Sequence, residues 1–159
     1  MEHDLLTVTI ALNAWHDRVA RGQQLLTTFS DEQLLREVAP GKNRGIYLVG
    51  HLIAYHDALC TILDLGPRLH PELDSAFLQH PDKSGLPMPS LAKLRQYWAE
   101  VHERLGHDFQ QVPVPTWFDR HLSVSEADFQ QQPYRNKLSV LLNRTNHLAY
   151  HTGQLMLLK

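Results

Sequence analysis

The chain has 159 residues, 43 % of them hydrophobic and 20 % charged, the ordinary mixture of a soluble globular protein with material for one core. Its 15 basic and 17 acidic side chains give a formal charge of -2, which excludes the basic footprint of a nucleic-acid or membrane-surface protein. Cys60 is the only cysteine, so an intrachain disulfide is excluded too. No apolar run is long enough to span a bilayer, and the segment before Leu5 lacks the basic and apolar regions of a signal peptide. The expected compartment is the cytoplasm, and the expected organisation is a single domain over residues 1–159.

Hydrophobic periodicity predicts an all-α chain. A first helix runs from about Asp4 to Leu26, with Leu5, Val8, Leu12, Trp15, His16, Val19 and Leu26 on one face. Ser30 and Gln33 form a capping-box pattern before Leu34 and Leu35, which predicts a short helical turn. Pro40-Gly41 breaks the chain. The next helix is expected over Ile46 to Leu65 and is apolar on most sides, which implies a central position. It contains Cys60, read as a buried thiol among apolar neighbours. A further helix is expected from Ser90, its N-cap, to Leu105, with Gly106 as its stop. The last extends from about Asn136 to the C-terminus. The connections 66–89 and 107–135 are proline-bearing, with helical turns expected around residues 73–78 and 125–131. Crossovers this long fit a four-helix bundle that is not a simple up-and-down one, and loops of this length are commonly functional.

Histidine, with 11 copies, is the unusual component. His147 and His151 are four residues apart, so their side chains project one turn apart from one helix face, beside Leu141, Leu148 and Leu155. Imidazoles near a core need partners for their nitrogens, and one metal ion serves both. His51 lies near the start of the most apolar helix, on the face of Leu48, Tyr55 and Leu59. Three inward histidines from two helices make a half-built metal site with positions left open. Three neutral ligands leave the ion's charge uncompensated, which favours a Lewis acid that attracts a thiolate or carboxylate.

Among the others, His56 and His16 are candidates to support that site, as is Gln154, seven residues after His147. His3, His70, His80, His102, His107 and His121 are read as solvated. The three tryptophans are read as core or pocket-lining residues. His102-Glu103 begins a zincin-like pattern that Gly106 interrupts, and no Glu-x-x-His pair supports a carboxylate-bridged di-iron centre. Imidazole donors suit zinc, nickel, iron and copper alike; zinc or nickel is the leading expectation, with iron a further one.

Gly50-His51-Leu52 together with His147-x-x-x-His151-x-Gly153-Gln154-Leu155 resembles the DinB-like superfamily of damage-inducible and thiol-transferase-related proteins. The resemblance covers essentially the whole chain. It implies a four-helix bundle with long crossovers, a divalent metal at one end held by residues matching His51, His147 and His151, and often a homodimer. The activities it implies are transfer of a low-molecular-weight thiol to a small-molecule substrate, or hydrolysis of a small electrophile. The alternative expectation is a non-catalytic bundle whose ion fixes the helices. The chain stops at Lys159, so a function needing a C-terminal extension is not expected.

Overall fold

Four polar residues start helices by satisfying amide groups that a helix leaves free at its first turn. Ser30 Oγ accepts from Gln33 N while Gln33 Oε1 accepts from Ser30 N, a complete capping box. Ser90, Ser125 and Asn136 cap in the same way onto Lys93, Asp128 and Ser139. The computed structural model describes residues 2–159. Its helices are α1 (Glu2–Thr28), α2 (Asp31–Leu35), α3 (Gly45–Asp57), α4 (Leu59–Ile62), α5 (Leu73–Phe77), α6 (Leu91–Gln111), α7 (Glu126–Gln131) and α8 (Lys137–Leu155), with 3-10 turns at Val114–Phe118 and Met156–Leu158. Among the described residues there is no strand, only isolated bridges between Glu37 and Arg44 and between Arg120 and Asn136. No helix among them is long and apolar enough to cross a membrane.

The long elements close into a ring. Helix α1 packs on α8, α8 on α3, α3 on α6, and α6 back on α1. Inside it lie Trp15, Trp98 and Leu148, with Trp117 capping one end against Phe109. Helix α3 is buried on nearly every side, as its composition predicts. Cys60 is buried beside it, and burial pushes its thiol up to about 11, which makes it a packing group.

Two predicted boundaries move. The helix expected over 46–65 is interrupted at Ala58 and ends at Ile62, where Asp64 takes a left-handed conformation (φ 62°). There Leu65 N bonds to Cys60 O and Asp64 N to Thr61 O, the paired bonds of a Schellman ending. Gly106 does not stop α6, which runs on to Gln111. Continuing buries Phe109 against Trp15 and Trp117, and that burial outweighs the roughly 1 kcal/mol cost of a mid-helix glycine.

The first long connection is anchored by Asp57, fully buried at the end of α3. Its carboxylate accepts from Leu69 N at 2.8 Å, His70 N at 2.9 Å and Arg68 Nε at 3.1 Å. Arg68 also binds Asp74 in α5 through both terminal nitrogens. A buried charge is tolerated only when paired and hydrogen-bonded this fully. The result holds α5 against α3.

Candidate metal centre

Helix α8 buries Leu141, Leu148, Thr152 and Leu155, which sets its rotation and turns His147 and His151 toward α3. Helix α3 presents His51 from the facing side. The three imidazoles meet, half-buried, with Nε2 of His147 at 3.2 Å from Nε2 of His51 and 3.0 Å from Nε2 of His151. Together they form a group whose ligand atoms lie within 4.8 Å of one another, a cluster that could hold a metal ion.

Two outer contacts decide where the protons sit. The Phe77 carbonyl, 2.8 Å from His51 Nδ1, can only accept, so His51 carries its proton on Nδ1. Gln154 donates its amide to Tyr150 Oη and turns its oxygen to His151 Nδ1 at 2.7 Å, which fixes the same tautomer there. Both Nε2 atoms therefore offer bare lone pairs toward His147. One proton on His147 Nε2 serves only one of them at a time, and His147 Nδ1 is buried without a partner. The three rings alone thus leave one Nε2 lone pair without a donor. Metal–nitrogen bonds of about 2.1 Å place neighbouring nitrogens about 3.0 Å apart at octahedral angles and about 3.4 Å at tetrahedral ones. The spacings of 3.0 and 3.2 Å fall in that range, and a bonded outer nitrogen, here on His51 and His151, is the usual support of a metal-ligating imidazole.

Electrostatics agree. Burial, with the neighbouring His151 and His51 adding to it, pushes His147 down to about 3. Burial likewise lowers His51 and His151 below the ordinary histidine value. All three are neutral at pH 7, the protonation state that coordinates.

The support of His51 comes from the first connection. A Cβ on Gly50 would lie 2.2 Å from Phe77 Cε1, so only glycine admits the Phe77 ring. Tyr47 Oη bonds to His80 O at 2.9 Å and stacks on His51, holding the same segment. Tyr55 completes the wall, with its ring 4.7 Å from His51 and 4.8 Å from His147. The Arg144 guanidinium lies over the Tyr55 ring, 4.6 Å from its centroid.

The remaining predicted residues separate. Gln154 bonds directly to His151. His16 is exposed on α1, beside Gly106 and away from the cluster, because α1 turns Trp15 inward instead. His56 is fully buried but touches His102, not the cluster. His102, read as solvated, is buried: it lies one position past the Val101 seam, on the flank that faces α3. His70 is not solvated either, since it stacks on Tyr97 at 3.6 Å and bonds to Glu100. His121 is half-buried near Arg120, Arg135 and Arg144. Sequence reasoning assigned no role to Phe77, Tyr55 or Arg144. Tyr55 follows His51 by four residues and Arg144 precedes His147 by three, spacings that place both on the ligand faces.

The family model of the DinB superfamily matches residues 11–155. The chain belongs to the DinB superfamily. The matched span contains all three clustered histidines, Gly50 and Gln154. A search of curated proteins found no match. For this DinB-superfamily chain the histidine cluster is thus a structural fact, joined to a family assignment that rests on nearly the whole sequence.

Proposed function

We propose that this DinB-superfamily protein binds a divalent metal, zinc or nickel first and iron next, through Nε2 of His51, His147 and His151. It would use the ion to activate a low-molecular-weight thiol or water against a small electrophile. The observation that carries the reading is the pair of fixed tautomers, which aims two bare Nε2 lone pairs at a third imidazole with one proton between them. When bound, a divalent ion supplies Lewis acidity and lowers the pKa of a thiol or water that reaches it. The protein's own residues do the rest. Phe77 O and Gln154 hold the rings, and Tyr55 walls one side. The half-buried setting leaves an approach for a small molecule, and among the described residues no carboxylate or thiolate joins the cluster to close it.

The same proposal places the protein in the cytoplasm, as one domain. It also includes a homodimer, whose interface would cover exposed Ile10 and Leu142 where α1 meets α8; light scattering of the purified protein reads that state. The chemistry is tested with cobalt-substituted protein. A small thiol should add a saturable near-ultraviolet charge-transfer band, and His147→Ala should not show it. A spectrum indifferent to thiols and small anions would favour an ion that merely fixes the helices.

A further inference from the structure

An open cleft of about 350 Å³ lies along the turn of α8 that precedes the histidine cluster. Its polar lining is cationic and neutral. Arg135 and Arg144 both contribute, with His121, Asn143 and Ser139, and no Asp or Glu lines it. Neither arginine has a carboxylate partner among the described residues. Arg120, the third arginine nearby, is by contrast neutralised by Glu126. Arg144 Nε is buried without any hydrogen-bond partner. Its one side-chain bond runs from Nη1 to Asn143 Oδ1 at 3.0 Å, which leaves the Asn143 amide hydrogens free to face the cleft. His121 Nδ1 accepts from Ser123 N, so its proton is on Nε2 and is also available for donation. Burial, with the approach of Arg135, Arg120 and Arg144, lowers His121 and favours its neutral form. Two uncompensated guanidiniums with two neutral donors form a receptor for a small anion.

Arg144 ties this receptor to the cluster. It precedes His147 by three residues and His151 by seven, which is about 5 and 11 Å along the helix axis. Its guanidinium lies on the Tyr55 ring, whose edge or face meets both His51 and His147. We propose that Arg135 and Arg144, with His121 and Asn143, bind the carboxylate of the small molecule whose reacting atom reaches the three histidines. The substrate class is then a flexible anionic compound with its charge several bonds from its reacting centre. This inference rests on the metal-site reading above and assigns the partner of that site.

The experiment compares 6-mercaptohexanoate with neutral 6-mercaptohexanol on the cobalt protein, reading the sulfur charge-transfer band. The carboxylate should bind tighter than the alcohol by about tenfold or more, as expected for charge-assisted hydrogen bonds. The ratio should fall to near one in R135Q/R144Q and recover in part in R135K/R144K. A ratio within each variant cancels any change in metal loading. Equal binding of the two thiols by the parent protein, or a preference that survives R135Q/R144Q, overturns the proposal. A second arm uses metal-free protein and glutarate, followed by the His121 imidazole resonances. A saturable shift lost in R135Q/R144Q supports the anion cleft even where no thiol reaches cobalt, and in that case only the metal-site reading fails. No glutarate response alongside a normal thiol band overturns the cleft and leaves the metal site standing.

Discussion

His56 on α3 donates its Nδ1 proton to Nε2 of His102 on α6 across 2.8 Å. The direction is fixed because His102 spends its own Nδ1 proton on the Trp98 carbonyl at 2.7 Å. Trp15 and Trp98 enclose the pair, with ring centroids 4.8 Å from His56 and 4.2 Å from His102. As paired, both rings are neutral, and a proton added at His102 Nε2 would require His56 to move its own from Nδ1 to the buried, unpartnered Nε2.

The pair makes stability depend on pH. Burial pushes His102 down to about 4 and His56 well below its ordinary value. Unfolded histidine titrates near 6.5, so between pH 6.5 and 4 the unfolded chain binds more protons, and stability falls as pH falls. His102 alone contributes a loss of about 2–3 kcal/mol between pH 7 and 4.5. Urea unfolding at both values should show this drop, reduced by about that amount in His102→Gln. An identical pH dependence in parent and variant would mean that His102 titrates normally in the fold.

Metal affinity should persist to lower pH than a solvated histidine site allows. Three ordinary imidazoles would lose on the order of 10³-fold between pH 7.5 and 5.5, because each proton competes with the ion. Here all three are lowered, His147 to about 3, so protons compete less, His147 adds almost nothing to the loss, and the fall in affinity should be smaller than for three ordinary imidazoles. Competition titration with a chelator at both pH values measures it. At pH 7.5, alanine at His51, His147 or His151 should abolish stoichiometric metal, while alanine at exposed His16 should leave it intact.

Gly50→Ala should act on the centre without touching a ligand. The new methyl group drives into the Phe77 ring, costing about 1–3 kcal/mol as overpacking and displacing the carbonyl that orients His51. Both melting temperature and metal affinity should fall. The double variant Gly50→Ala/Phe77→Leu should recover part of each, and no recovery would show that Phe77 does not transmit the change.

Asp57→Ala removes the anchor of the first connection. It strips Arg68 of one partner and leaves two amides without an acceptor, a loss of about 3–5 kcal/mol. Denaturant midpoints measure it. Because α5 carries Phe77, weaker metal binding should accompany the loss.

Local signals made much of this legible. The caps at Ser30 and Ser90, the start of the last helix near Asn136 and the facing of His147 toward the core follow from residues within a turn or two of each other. His102 was not legible for a physical reason. It stands one position off the seam of Leu94, Trp98, Val101 and Leu105, and a helix in a ring of four meets two neighbours, so its buried arc is wider than its apolar stripe. His16 errs in the opposite sense, since it shares a periodic face with Trp15 but points past the edge of the contact. The role of Phe77 is carried by a backbone oxygen, which no side-chain pattern reveals.

The 96 residues separating His51 from His147 bear on how the chain would acquire an ion. Closing a loop of that length in a disordered chain costs several kcal/mol of entropy, about 4–5 by polymer estimates. A nascent or unfolded chain would therefore offer at most the local pair on α8, a weak chelate. Metallation would follow collapse rather than guide it, and nearly all of the ion's binding free energy would appear as resistance to unfolding. An excised α8 peptide would be a poor surrogate for the centre, however faithfully it kept its helix.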